Sequence, residues 1–133
     1  MYRPVYPAEL IEFILNGVNS HQACWDVGTG NGQLLGLLAP HFTLATGTDS
    51  SAQQLDFAPK LSNVEYRVCP AEEDPLFTRT FDLITVAQAV HWFRLEAFYS
   101  VVKKYLADDG LFVITGYGLI TVNPQIDVLV HEM

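Results

Sequence analysis

The stretch DVGTGNGQ, Asp26 to Gln33, places three glycines at alternate positions directly after the apolar run ACW. Glycine has no Cβ, so the main chain can turn to positive φ and its N–H groups can approach a ligand closely. Each glycine also weakens local structure by roughly 0.5–1 kcal/mol, so three of them need a compensating reason. A strand-to-helix turn that holds a ligand supplies that reason, and a turn without a ligand is the alternative.

The sequence on both sides of this turn alternates apolar strand patterns with short helical patterns. Such alternation predicts parallel βαβ units, whose right-handed crossovers place helices on both faces of a sheet. We therefore expect an α/β fold, a Rossmann-like doubly wound sheet of about five parallel strands. The predicted strands are Ala23–Val27, Phe42–Thr48, Val64–Val68, Phe81–Ala87 and Leu111–Tyr117. The predicted helices are Ala8–Asn16, Gln33–Ala39, one capped by Ser50 or Ser51 that runs through Phe57, and Leu95–Leu106.

Composition excludes several classes of partner. The chain has 133 residues, enough for one domain over residues 1–133, and its net charge of −8 with seven Lys and Arg argues against nucleic acid. No apolar stretch approaches the ~20 residues that span a bilayer, and the first residues do not resemble a secretion signal. Cys24 and Cys69 are expected to be free thiols, the histidines outside the motifs show no metal-ligand spacing, and we expect a cytoplasmic protein without a metal.

The spacing of the glycines separates the candidate ligands. Ligands of doubly wound sheets bind beyond the carboxyl ends of the strands, usually after the first strand. A dinucleotide fingerprint needs glycine where Gln33 stands, which disfavours a nicotinamide-dependent oxidoreductase, and no Gly-Lys-Ser/Thr is present for a Walker loop. Asp49 closes the second predicted strand, where an acid accepts hydrogen bonds from ribose hydroxyls; its alternative role is to cap the next helix. A nucleoside cofactor is therefore predicted.

The pattern D-x-G-x-G-x-G resembles motif I of the class I S-adenosylmethionine-dependent methyltransferases. The segments YRPVYP (residues 2–7) and QAVHWF (residues 88–93), together with Ala71-Glu72, are similar to the type 11 methyltransferases related to trans-aconitate methyltransferase. The resemblance covers roughly residues 2 to 118. It implies S-adenosyl-L-methionine as the cofactor, a small-molecule methyl acceptor and the same doubly wound fold.

Site residues follow from the motif and the resemblance together. The expected cofactor contacts are Tyr2, Arg3, Asp26, Gly28, Gly30, Gly32, Asp49, Ser50, Ala71, Glu72 and Gln88. The expected substrate pocket comprises Tyr6, His91 and Trp92. A hydroxyl or carbon acid acceptor needs a base, for which His91 is the candidate, whereas a carboxylate acceptor needs none. The alternative is that His91 only begins a helix and is oriented by packing.

The resemblance also indicates where this chain departs from the family. Full members continue past the fifth strand into a helix and an antiparallel strand pair, whereas only LITVNPQIDVLVHEM follows Gly118. We expect that pair to be absent, with a strand extension at Leu119–Val122 and a short helix at Pro124–Val130. Leu111–Tyr117 would then be an apolar edge, which predicts self-association through this edge or through the C-terminal tail. The leading interpretation is a methyltransferase acting on a small molecule such as a carboxylic acid; the alternative is a truncated, non-catalytic isoform or fragment that binds the cofactor weakly or serves as an interaction partner.

Overall fold

A seven-stranded sheet forms the centre of the molecule. The computed structural model describes residues 8–87, 95–116, 119–123 and 127–129, and the strand order is β3-β2-β1-β4-β5-β6-β7. The strands are β1 (Ala23–Val27), β2 (Leu44–Asp49), β3 (Val64–Val68), β4 (Phe81–Ala87), β5 (Leu106–Gly116), β6 (Leu119–Asn123) and β7 (Asp127–Leu129). The helices are α1 (Ala8–Asn16), α2 (Gln33–Leu38), α3 (Ala52–Leu55) and α4 (Leu95–Tyr105).

Strands β1 to β5 run parallel to one another, which confirms the doubly wound part of the prediction. β1 pairs with β2 on one side and with β4 on the other, β2 pairs with β3, and β4 pairs with β5. The chain therefore winds outward from β1 to β3 and then returns to the other side of β1. This reversal is the switch point at which such sheets bind ligands, at the carboxyl ends of the strands.

The core consists of two layers, one on each face of the sheet. Leu83 packs with the layer beneath α1 and α2, whereas Ile84, its neighbour along β4, packs with the layer beneath α4. Both side chains are fully buried, as expected of a strand covered on both faces. Burial of a side chain of this size stabilises the fold by roughly 1.5–3 kcal/mol.

The predicted absence of the antiparallel strand pair is wrong. β6 pairs antiparallel with β5, where Ile114 faces Thr121, and β7 pairs antiparallel with β6. The sequence LITVN is rich in β-branched residues and comes shortly after Gly116, so it folds back onto the open edge of β5. The expected self-association through that edge therefore has no basis, because β6 occupies the hydrogen-bonding groups of the edge. The helix expected at Pro124–Val130 is also wrong, since Asp127–Leu129 is a strand.

β5 begins earlier than the sequence predicts. Phe81 of β4 faces Leu106, and Leu83 faces Leu111, so β5 carries extra residues between these two pairs. Residues 107–110, which lie between the predicted helix and the predicted fifth strand, are therefore an irregularity inside the strand. In the described part of the chain, no helix is both long and apolar enough to cross a membrane.

Candidate functional site

The loop between β1 and α2 has the backbone conformation that its glycines predict. Gly28, Gly30 and Gly32 have φ values of 65°, 59° and 76°. L-residues rarely adopt this left-handed region, so side chains at these positions would strain the turn. The alternation of glycine in the sequence therefore corresponds to an alternation of left-handed residues in the loop.

Gly32 has a second reason to be glycine, and that reason is internal. A Cβ at Gly32 would lie 2.9 Å from Cδ of Pro59, 3.1 Å from the hydroxyl of Tyr66 and 3.2 Å from Cβ of Ala58. The segment after α3 thus packs directly against the end of the loop. A cofactor contact at Gly32 stays a prediction, because its own protein neighbours already account for the missing side chain.

Gly30 is different, since its surroundings are open on the side where a side chain would project. The nearest heavy atom to a Cβ at this position would be Oε1 of Gln54, 4.0 Å away. The backbone N–H of Gly30 donates a hydrogen bond of 2.8 Å to Oδ2 of Asp49. The loop after β1 is therefore joined to the carboxylate at the end of β2.

Asp49 accepts hydrogen bonds from two backbone N–H groups of the protein, and its contact with a ribose stays a prediction. Its Oδ1 accepts a hydrogen bond of 2.8 Å from the N–H of Ser51, ahead of α3, while Oδ2 accepts the N–H of Gly30. The residue is half-buried, and Ser50 beside it is exposed. A carboxylate offers about four lone-pair sites, so two N–H donors leave capacity for the hydroxyls of a sugar.

Asp26 lies beneath the loop, and its carboxylate accepts hydrogen bonds from other side chains of the protein. It is 2% exposed, its Oδ2 accepts the hydroxyl of Thr29, and its Oδ1 accepts the hydroxyl of Thr85 on β4, both at 2.8 Å. Burial raises the pKa of Asp26 to about 6, although these two hydrogen bonds oppose the rise. Asp26 thus anchors the loop to β4, and direct contact with a cofactor stays a prediction.

Two further contacts hold the loop and β1 against β2, and sequence reasoning missed both. The N–H of Thr29 donates to the carbonyl of Thr48 at 2.8 Å, and the indole of Trp25 donates to the Thr48 hydroxyl at 3.0 Å. A Cβ at Gly47 would lie 2.9 Å from side-chain atoms of both Leu35 and Thr29. The signal in the sequence was a small residue between polar threonines in a buried strand, TGTD at residues 46–49.

The segment after β3 carries the expected Ala71 and Glu72. Ala71 is buried in the layer beneath α4, and Glu72 is half-buried. Asp74 holds this segment to α4, because its carboxylate accepts hydrogen bonds from Lys104 and Tyr105. These donors, with the N–H of Leu76, lower the pKa of Asp74 to about 2. The wall on this side of the site is therefore held by an ion pair.

A groove of about 190 Å³ lies next to the loop and α3. All of its lining residues are uncharged; they are Asn31, Ser51, Gln53, Gln54 and Phe57. The predictions for Tyr2, Arg3, Tyr6, Gln88, His91 and Trp92 lie outside the described residues. Among the residues that are described, no cluster of His, Cys, Asp and Glu could hold a metal ion.

The fold and the loop together define a class of protein. A parallel sheet of order 3-2-1-4-5, a glycine loop after β1 and a carboxylate at the end of β2 are the parts of a Rossmann-like domain that binds a nucleoside cofactor. Residues 25–114 match the model of the family described as "Methyltransferase domain". The chain therefore belongs to this family of class I S-adenosylmethionine-dependent methyltransferases.

Individual relatives agree with this assignment. A methyltransferase-family protein of Dictyostelium discoideum is 39% identical over 98% of this chain and 51% of its own length. The malonyl-[acyl-carrier protein] O-methyltransferase of Haemophilus influenzae is 32% identical over 84% of this chain and 43% of its own. A solved methyltransferase-family structure from Anaeromyxobacter dehalogenans has a TM-score of 0.80 at 30% identity, covering 94% of this chain and 53% of that one. The chain thus spans about half the length of the relatives it matches.

Proposed function

We propose that this chain binds S-adenosyl-L-methionine at the carboxyl ends of β1 and β2 and transfers its methyl group to a small-molecule acceptor. The observation that carries the proposal is the 2.8 Å hydrogen bond from the Gly30 N–H to Asp49. This bond brings an open, left-handed glycine backbone and a half-buried carboxylate together at the switch point of the sheet. An adenosyl cofactor can use both groups, because the glycine backbone allows it to approach closely and the carboxylate accepts hydrogen bonds from its ribose hydroxyls.

Methyl transfer requires mainly that the protein align the acceptor atom with the methyl group of the cofactor. When bound, the cofactor would supply an electrophilic methyl group on a sulfonium sulfur; an acceptor atom would attack this methyl carbon in line, and the neutral thioether S-adenosylhomocysteine would leave with the electrons of the broken C–S bond. The protein contributes by holding the reacting groups in register and by excluding water. Asp49 is already fixed by two backbone N–H groups, and Asp26 fixes the loop from below through Thr29. These residues can therefore receive the cofactor with little rearrangement.

We propose a carboxylic acid as the acceptor class, on the resemblance of YRPVYP and QAVHWF to relatives of trans-aconitate methyltransferase. A carboxylate is deprotonated at neutral pH and needs no base, whereas a hydroxyl acceptor would use His91. Tyr6 and Trp92 would line the acceptor pocket, and Tyr2, Arg3 and Gln88 would contact the cofactor. The name of the Haemophilus influenzae relative, an O-methyltransferase, supports transfer to oxygen within the family.

The proposal has two separable parts, and each has its own test. Calorimetric titration with S-adenosylhomocysteine tests cofactor binding, with NAD as the comparison ligand. Release of labelled methyl product over a panel of small carboxylic acids, with matched alcohols, tests turnover. Binding of S-adenosylhomocysteine and methylation of an acid support the whole proposal, whereas binding of NAD instead would overturn it.

A binding protein without turnover is the second candidate, because the contact that carries the proposal, between Gly30 and Asp49, concerns the cofactor and not the methyl acceptor. Binding of S-adenosylhomocysteine without methylation of any acid or alcohol would favour this candidate. The same two measurements therefore distinguish the enzyme from the binding module.

A further inference from the structure

We infer that Gln54 is a second recognition residue for the ribose of the cofactor and acts beside Asp49. This inference rests on the proposed function, because it concerns the sugar of the cofactor named there. It adds a specificity-determining side chain from α3 to a site that the motifs place only on the loop and on β2.

The geometry places Gln54 next to the Gly30–Asp49 hydrogen bond. Oε1 of Gln54 lies 4.0 Å from the position that a Cβ would occupy on Gly30, and the N–H of Gly30 donates to Asp49. The amide of Gln54 and the carboxylate of Asp49 therefore flank the same glycine. A sugar that is hydrogen-bonded to Asp49 above this glycine lies within reach of the Gln54 side chain.

The backbone of Gln54 is held in place by a hydrogen bond, while its side-chain amide is available to bind a ligand. Its N–H donates a hydrogen bond of 3.2 Å to Oγ of Ser51, which caps α3. Within the part of the chain that the structure describes, the Gln54 amide group forms no hydrogen bond with another protein group. The residue is exposed and lines the groove of about 190 Å³ beside the loop.

The chemistry of the two side chains is complementary toward a hydroxyl. A carboxylate only accepts hydrogen bonds, whereas an amide can both donate and accept. A ribose hydroxyl that donates its proton to Asp49 has oxygen lone pairs left, and the Gln54 amide can donate to them. The groove is lined by uncharged residues, which suits a neutral sugar rather than a phosphorylated one.

The test is a double-mutant cycle between the protein and the ligand. S-adenosylhomocysteine and its 2′-deoxy and 3′-deoxy analogues are titrated calorimetrically into the unaltered chain, Gln54→Met and Gln22→Ala. Methionine keeps the size of the side chain without its amide. Gln22 is an exposed glutamine just before β1, at the opposite end of that strand from the loop, and it serves as the control.

We expect Gln54→Met to bind S-adenosylhomocysteine about five- to tenfold more weakly, as loss of one hydrogen bond predicts, and Gln22→Ala to bind it normally. One of the two deoxy analogues should bind the unaltered chain and Gln54→Met with equal affinity. Two results would overturn the inference. In the first, Gln54→Met binds S-adenosylhomocysteine as tightly as the unaltered chain does. In the second, each deoxy analogue is weaker than S-adenosylhomocysteine by the same factor in Gln54→Met as in the unaltered chain. Failure of the unaltered chain to bind S-adenosylhomocysteine would instead overturn the proposed function, and this inference with it.

Discussion

The hydroxyl of Thr85 on β4 donates a 2.8 Å hydrogen bond to Oδ1 of Asp26, a buried carboxylate at the end of β1. The other carboxylate oxygen accepts Thr29, so one side chain connects two strands and the glycine loop. A carboxylate so deeply buried titrates in an unusual range, and its pKa rises from 3.8 to about 6. The stability of the protein should therefore depend on this residue in a particular window of pH.

The first prediction concerns Asp26→Asn. The folded protein binds the proton of Asp26 more tightly than the unfolded chain, so this group stabilises the fold fully below pH 3.8, and the stabilisation is lost as the pH rises through about 6. The loss should be on the order of 3 kcal/mol, from a shift of about two pKa units. Between pH 4 and pH 7, the free energy of unfolding measured by urea denaturation should decline less for Asp26→Asn than for the unaltered chain. An equal decline in both proteins would show that Asp26 titrates normally.

The second prediction concerns Asp49→Ala. Removal of the carboxylate should weaken binding of S-adenosylhomocysteine by about 1–3 kcal/mol, because the ribose hydroxyls lose their acceptor. Calorimetric titration measures the change, with Asp56→Ala as the control, an exposed aspartate at the end of α3. Unchanged affinity would mean that Asp49 only orders the glycine loop and the turn ahead of α3.

The third prediction compares two glycines. In Gly47→Ala the new Cβ would lie 2.9 Å from side-chain atoms of Leu35 and Thr29, both packed in place, so we expect a loss of about 1–3 kcal/mol in the free energy of unfolding. In Gly36→Ala, inside α2, the nearest atom would be Cγ of Pro59 at 3.3 Å, and the helix gains from alanine. Thermal denaturation should therefore separate the two variants, and similar melting temperatures would contradict the close approach at Gly47.

The fourth prediction concerns Asp74→Asn. The hydrogen bonds from Lys104 and Tyr105 hold the pKa of Asp74 at about 2, below its usual 3.8. This group therefore contributes stability above pH 3.8, and the contribution is lost as the pH falls through about 2. Asp74→Asn should melt at a lower temperature than the unaltered chain at pH 7, and the gap should narrow toward pH 2. Glu73→Gln, an exposed neighbour, is the control; a gap of constant size would contradict the role of the charge.

Much of the fold could be predicted from the sequence because periodicity is a local signal. β1, β3 and β4 have the bounds that their apolar runs predict, and the βαβ alternation predicts the parallel order. The strands that follow β5 could not be predicted in this way. LITVN is a good strand sequence, but its pairing with β5 depends on the open edge beside it, which only the assembled sheet reveals.

In the candidate site, too, some features could be predicted from local sequence and others depend on the assembled fold. The left-handed glycines and the position of Asp49 could be predicted, because a motif at a strand end determines both. The role of Thr85 could not, although a single threonine among the apolar residues of β4 hints at a buried hydrogen bond. Gln54 carries no signal in the sequence, since only the fold places α3 beside the loop.

The hydrogen bonds around the glycine loop also bear on the thermodynamics of its use. Thr29 is bound through both its amide and its hydroxyl, and Gly30 is bound through its amide, all to groups of the folded protein. The conformational entropy of these residues is therefore lost during folding, not when a ligand arrives. Because the loop is already ordered before a ligand binds, binding should carry only a modest entropic penalty. The affinity should therefore reflect mainly the contacts that the ligand makes with the protein.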